Sequence, residues 1–186
     1  MSTPDLEDYG NKFFTDSTAD LSVDLAREMD IIVVPLSVQF GKNTFLDGAG
    51  MDSDQFFQRL TRGTRLPTTS QPSPGAFMET YRSLLEAGHQ VVSIHISSNL
   101  SGTMNSALAA KDEMGNIPVE VVDSCPATMG LGLVATAAAS AVKDGASYEE
   151  TIQVTRRTLG QVQLFGLLDT LEYLKNGGRI GMVKGF

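Results

Sequence analysis

Hydroxyl groups gather at four places in this 186-residue sequence: Thr15-Ser17-Thr18, Thr68-Thr69-Ser70-Gln71, Ser97-Ser98-Ser101-Thr103 and Asp123-Ser124. The first, third and fourth end an apolar run that reads as a strand, or open a stretch that reads as a helix. The second sits in a long loop ahead of a helix. In open parallel sheets, ligands bind beyond the carboxyl ends of the strands. The loops there lead into helix N-termini, whose free N–H groups favour anions. Ser and Thr side chains added to those N–H groups make a neutral cradle that suits a carboxylate or a phosphate. Taken singly, each of these residues also serves as an N-cap or turn former.

Other chemistries fit less well. His95 and Ser97 project from one face of a strand, about 6.6 Å apart by strand rise, which is long for a base and its nucleophile. The sequence has no GxSxG elbow and no Walker pattern. Gly130-Leu131-Gly132 is a fragment of a dinucleotide fingerprint, but it falls inside a helix. His89 follows a helix-ending glycine and reads as a surface residue. Cys125 is the lone cysteine, so neither an intramolecular disulfide nor a multi-thiolate zinc site is available.

The elements that must position these groups follow from periodicity and punctuation. Phe13-Phe14 ends a first strand, and residues 21, 25, 26 and 29 form a helical stripe. Ile31–Val34 and Leu36–Phe40 read as β-branched strand, broken by Pro35 at an edge or bulge. Gly41 to Gly50 reads as turn, Asp52 as the N-cap of a helix, and Arg62 to Gly75 as irregular. Ser73-Pro74 opens a helix that ends near Ala87, with Gly88 at C′. Val91–Ile96 and Val119–Val122 are strands, separated by a helix over residues 103–114. A Gly/Ala-rich helix runs to Lys143, and Ser147 with Glu150 makes a capping box for another. Gln163–Leu168 reads as a last strand and Asp169–Lys175 as a last helix. The repeated alternation predicts an α/β fold, a mostly parallel sheet with helices on both faces.

Composition narrows the class. With 41% apolar and 19% charged residues, a packed core is affordable. Lys and Arg number 14 against 22 Asp and Glu, a net charge of −8 that repels nucleic acid and disfavours attachment to anionic membranes. The stretch from Met129 to Val142 is too short to span a bilayer, and Met1–Asp8 is polar and acidic, unlike a signal peptide. The expectation is a soluble, cytoplasmic protein without stable membrane insertion.

Four stretches carry a more specific signal. They are Thr15-Asp16-Ser17-Thr18-Ala19-Asp20-Leu21, Pro67-Thr68-Thr69-Ser70-Gln71-Pro72-Ser73-Pro74, Ile96-Ser97-Ser98-Asn99-Leu100-Ser101-Gly102-Thr103, and the run from Leu168 to Gly181 with Gly177-Gly178-Arg179-Ile180-Gly181 at its end. In this order and spacing the sequence resembles the DegV family of bacterial fatty-acid-binding proteins, which includes the acyl-carrying subunits of bacterial fatty acid kinase. The resemblance implies a two-lobed α/β protein that buries one long-chain fatty acid, with no other cofactor and no catalysis of its own. It implies that Thr69 and Ser97 or Ser98 hold the carboxylate, with Arg179 near the site. It also implies an ATP-dependent kinase partner that phosphorylates the bound acid. The family usually runs on beyond its GGRIG segment, completing the second lobe and supplying a histidine to the carboxylate. The expected division is therefore an α/β domain over residues 1–160 and the start of a second lobe over 161–186, apparently truncated at the C-terminus. The alternative left by the residues themselves is a Ser/His hydrolase or a transferase acting on a small anionic metabolite.

Overall fold

The computed structural model describes residues 10–63 and 66–179. Its centre is a four-stranded parallel sheet of β1 (Asn11–Asp16), β2 (Ile31–Val34), β6 (Gln90–His95) and β7 (Val119–Asp123), in the order β2-β1-β6-β7. Between β2 and β6 the chain builds a small antiparallel sheet from β3 (Ser37–Phe40), β4 (Asn43–Leu46) and β5 (Thr68–Ser70), with β3 in the middle. Helices fill the intervals: α1 (Val23–Glu28), α2 (Ser53–Arg62), α3 (Pro74–Glu86), α4 (Thr103–Met114), α5 (Met129–Lys143), α6 (Tyr148–Leu159) and α7 (Glu172–Asn176).

The parallel sheet has helices on both faces, which is why its strands carry apolar residues on both sides. Successive side chains of β1 separate into two cores. Phe13 joins Val92, Ile94, Leu131, Val134 and Ala138 under α5. Phe14 joins Phe77, Tyr81, Val91 and Ala107 under α3 and α4. In this second core, the Phe14 ring meets those of Phe77 and Tyr81 edge-on, with both pairs of centroids 5.7 Å apart.

The helix punctuation is realised as the sequence predicts. Ser73 Oγ accepts from Ala76 N with Pro74 at the first helical position, and Asp52 accepts from Gln55 N. Ser147 and Glu150 satisfy each other's backbone N–H groups in a capping box. Pro35 lies where the chain leaves β2, an edge strand of the parallel sheet, for β3 of the small one.

Three expectations need correction. The Gly41–Gly50 segment is not all turn, because Asn43–Leu46 forms β4 against β3. Thr68–Ser70 is not irregular but is strand β5, with Thr69 opposite Val38. Both segments are short, and they become strands because β3 offers its two edges to them. The residues 163–168 form no strand, and Phe165 and Leu167 are 87% and 98% exposed. An apolar run becomes a strand only with a ladder partner, and among the described residues none lies beside it.

Candidate functional site

The connections around β1 define where a ligand belongs. β1 and β6 are neighbours, yet the chain runs from β1 to β2 on one side and from β6 to β7 on the other. Such a reversal opens a crevice beyond the carboxyl ends of the two strands. The turn after β1 and the turn after β6 flank it, and these carry the first and third hydroxyl clusters.

The turn after β6 is tightly drawn. Ser97 is buried, and its carbonyl accepts from Leu100 N at 2.8 Å and from Ser101 N at 3.1 Å. Ser97 Oγ accepts from Asn99 N at 3.3 Å, which leaves its proton available to an outside acceptor. Ser98 is exposed, and its N–H is held by Asp123 Oδ2 at 3.2 Å. The turn then feeds α4, whose N-cap Gly102 makes no side-chain cap bond. The Ser101 hydroxyl sits 2.8 Å from Thr103 Oγ1 and accepts from Thr103 N at 3.3 Å.

Two of the other predicted segments reach this turn. Gln71, two residues after Thr69, lies against Gly102: a Cβ placed there would be 2.4 Å from Gln71 Nε2. The same Nε2 donates to Ser106 Oγ at 3.4 Å. Gly102, with a φ of −77°, gives the Gln71 side chain room rather than a left-handed turn. From the C-terminal side, Arg179 Nε donates to Leu100 O at 3.2 Å. Thr69 is exposed on β5. Thus Ser97, Ser98 and Arg179 are brought to one turn, and Thr69 stands on the strand whose continuation packs against it.

The turn after β1 is organised by Asp16, which is completely buried. Its Oδ1 accepts from Thr18 N at 3.0 Å and Thr18 Oγ1 at 2.5 Å. Its Oδ2 accepts from Ile96 N at 3.0 Å and lies 3.1 Å from His95 Nδ1. Burial alone would raise the Asp16 pKa, but the His95 bond and charge, the Thr18 hydroxyl and the Ile96 amide outweigh it and hold it below the usual aspartate value. Beside Asp16 opens a cleft of about 850 Å³, with Ala19, Leu21, Val33 and Pro35 among its walls.

His95 does not face Ser97. A carboxylate only accepts, so His95 Nδ1–H points to Asp16, and His95 Nε2 lies 2.6 Å from Ser93 Oγ. Ser93 Oγ is in turn 2.8 Å from Tyr81 OH, whose pKa is raised by burial. Asp16, His95, Ser93 and Tyr81 are all inaccessible. The order Asp-His-Ser is that of a nucleophile triad, but its serine is walled in by Phe14, Phe77 and Tyr81 and reaches no substrate. Sequence reasoning missed this chain. The signal was the Ser93-x-His95 spacing on a strand, which places both side chains on one face.

The Gly130-Leu131-Gly132 fragment has a packing explanation. A Cβ on Gly132 would lie 2.5 Å from Ala19 O, and one on Gly130 would lie 2.9 Å from Pro126 Cβ. Gly132 lets α5 approach the turn after β1, and Gly130 lets the start of α5 close on Pro126 in the turn after β7. Among the described residues there is no group of three or more His, Cys, Asp or Glu able to hold a metal ion. No helix there is long and apolar enough to cross a membrane.

Residues 12–186 match the family described as uncharacterised proteins of the DegV family. The chain belongs to the DegV family. A DegV domain-containing protein of Clostridium perfringens is 38% identical over 173 residues, covering 93% of this chain and 62% of the relative. Protein DegV of Bacillus subtilis is 34% identical over 92% of this chain and 62% of its own length. Among solved DegV structures, that of B. subtilis DegV, described as a fatty acid binding protein, superposes with a TM-score of 0.85 at 32% identity, over 93% of this chain and 62% of that one. A Thermus thermophilus family member, solved with fatty acid binding as its subject, gives 0.80 at 36% identity, over 92% and 61%. A stearic acid-binding protein of Eubacterium ventriosum gives 0.80 at 32%, over 92% and 60%. The chain thus spans about three-fifths of the DegV relatives it matches.

Proposed function

We propose that this chain supplies the head-group side of a fatty-acid carrier. It holds the carboxylate of a long-chain fatty acid on the hydroxyls of Ser97, Ser98 and Thr69, with Arg179 beside them. The observation that carries this reading is the convergence at the turn after β6. The Ser97–Gly102 turn, the Gln71 end of the Thr69 segment and Arg179 all meet there. Hydroxyls and one guanidinium suit a carboxylate, and the solved relatives described as binding fatty acids support the acyl tail.

Magnitudes fit a carrier whose ligand is enclosed. Burying about ten methylenes at about 0.8 kcal/mol each favours binding by on the order of 8 kcal/mol, and ordering costs offset much of it. The carboxylate must keep its hydrogen bonds, or its desolvation cancels the rest. Exposed Leu164, Phe165, Leu167 and Leu168 are apolar surface that suits cover by a second lobe.

On this reading the protein catalyses nothing alone. It presents the acid to an ATP-dependent kinase in the cytoplasm, and its net charge of −8 keeps it off anionic membranes and nucleic acid. Denaturing extraction of the purified protein, followed by mass spectrometry, tests the ligand class. A long-chain fatty acid supports the carrier, and a compact polar anion overturns it.

A further inference from the structure

The turn that carries Ser97 and Ser98 leaves the sheet from β6, an inner strand with β1 on one side and β7 on the other. Both neighbours end in an aspartate, and both aspartates reach back to this turn. Asp16, the last residue of β1, accepts from Ile96 N, the amide immediately before Ser97. Asp123, the last residue of β7, accepts from Ser98 N, immediately after it. The regular ladder ends at His95, paired with Asp123. Beyond that point, side-chain carboxylates continue the lateral pairing that backbone carbonyls provide within the sheet.

Resting on the carrier reading above, we propose that Asp16 and Asp123 are positioning residues. They form a two-carboxylate clamp that fixes Ser97 between its flanking amides and so aims the hydroxyls at the fatty-acid head group.

Each carboxylate is anchored independently. Asp16 is fixed by Thr18 and by the buried His95–Ser93–Tyr81 chain. Asp123 also accepts from Cys125 N at 3.0 Å, which ties it to the turn after β7. Cys125 has a φ of +61°, uncommon for a residue with a Cβ. The clamp uses oxygens already committed to N–H groups, so they are not competing for the donors that a ligand carboxylate needs. It also consumes the Ile96 and Ser98 amides. The Ser97 and Ser98 hydroxyls are therefore left as the natural donors to the ligand.

The test compares a long-chain fatty acid with the alcohol of the same length, because only the acid reads the aim of the donors. Three variants are titrated with both: Asp16→Asn, Asp123→Asn and Ser147→Ala. Asp123 is partly exposed, so its variant is expected to fold even where the buried Asp16 variant does not. The clamp predicts that each Asp→Asn change weakens acid binding about tenfold, one hydrogen bond to a charged group, and leaves the alcohol within about twofold. Ser147→Ala, in the capping box of α6, should lower the melting temperature and leave the acid-to-alcohol ratio as it was. Equal losses for acid and alcohol would reduce the aspartates to structural supports and overturn the proposal. A gain in acid affinity would overturn it too, since relief of charge repulsion would then outweigh positioning. If the wild-type protein itself does not distinguish acid from alcohol, the carrier reading has failed, and the clamp with it.

Discussion

Gly132→Ala puts the placement of the β1 turn to a quantitative test. The added Cβ would stand 2.5 Å from Ala19 O, 3.3 Å from Leu21 Cδ2 and 3.4 Å from Met129 Sδ. Reaching an ordinary contact of 3.4 Å with Ala19 O requires the gap to open by about 0.9 Å. The obstacle is a backbone carbonyl, so no rotamer change relieves it. Either α5 moves off the sheet, disturbing Leu131, Val134 and Ala138 in the core, or the turn carrying Ala19 moves. Overpacking of this kind costs about 1–3 kcal/mol, and a backbone obstacle belongs at the upper end. Against it stands the helix propensity gained by Gly→Ala, about 1 kcal/mol. The clash wins, and the net expectation is a loss of about 2 kcal/mol. For a chain of this size that lowers the melting temperature by about 4–8 °C. Gly75→Ala in α3 is the control, because its nearest neighbour would be Ser73 Oγ at an ordinary 3.7 Å. It should be neutral or stabilising by up to about 1 kcal/mol. Urea denaturation of both variants reads the difference. A Gly132→Ala protein as stable as the wild type would refute the close approach of α5 to the β1 turn.

Thr69→Val, Ser97→Ala and Ser98→Ala should each weaken fatty-acid binding by about 1.5–3 kcal/mol without unfolding the protein; unchanged affinity in all three sinks the head-group assignment. Ser147→Ala removes one half of the α6 capping box and should cost about 1 kcal/mol in urea denaturation. The Asp16 carboxyl has a folded pKa below its unfolded value of 3.8, so its stabilisation is complete above that value and is lost as pH falls through the folded one. Stability measured from pH 7 down to 3 should therefore fall at the acid end. Asp16→Asn should flatten that part of the profile, and an equally steep decline in the variant would contradict the assignment.

Much of this architecture is written locally. The Ser73-Pro74 start, the Gly88 stop with φ +82° and the Ser147/Glu150 box act over a single turn of helix, so the sequence alone places them. The helix over residues 103–114 and the strand at Val91 are legible for the same reason. Strand β5 was not legible, because Thr68–Ser70 owes its form to β3, far back in the chain, whereas β4 closes a two-residue hairpin on β3 across Gly41-Lys42 that the turn reading of this segment passed over. The apolar run at residues 163–168 shows the converse, strand-like composition without a partner strand among the described residues. At the site, Ser97 and Ser98 stand out as hydroxyls before a helix. The Asp16–His95 link does not, since it joins residues 79 apart in sequence. Gly102 and Gly132 look like flexible positions until the approaching Gln71 and Ala19 are seen.

The turn after β6 is proposed to recognise a carboxylate at the head of a long apolar chain. Calorimetric titration of the wild-type protein with a long-chain fatty acid, and separately with the alcohol of equal length, tests it most directly. The account predicts that the acid binds at least about tenfold more tightly, because only its head group accepts from Ser97, Ser98 and Thr69 in charged form. Equal affinity for the two would contradict it.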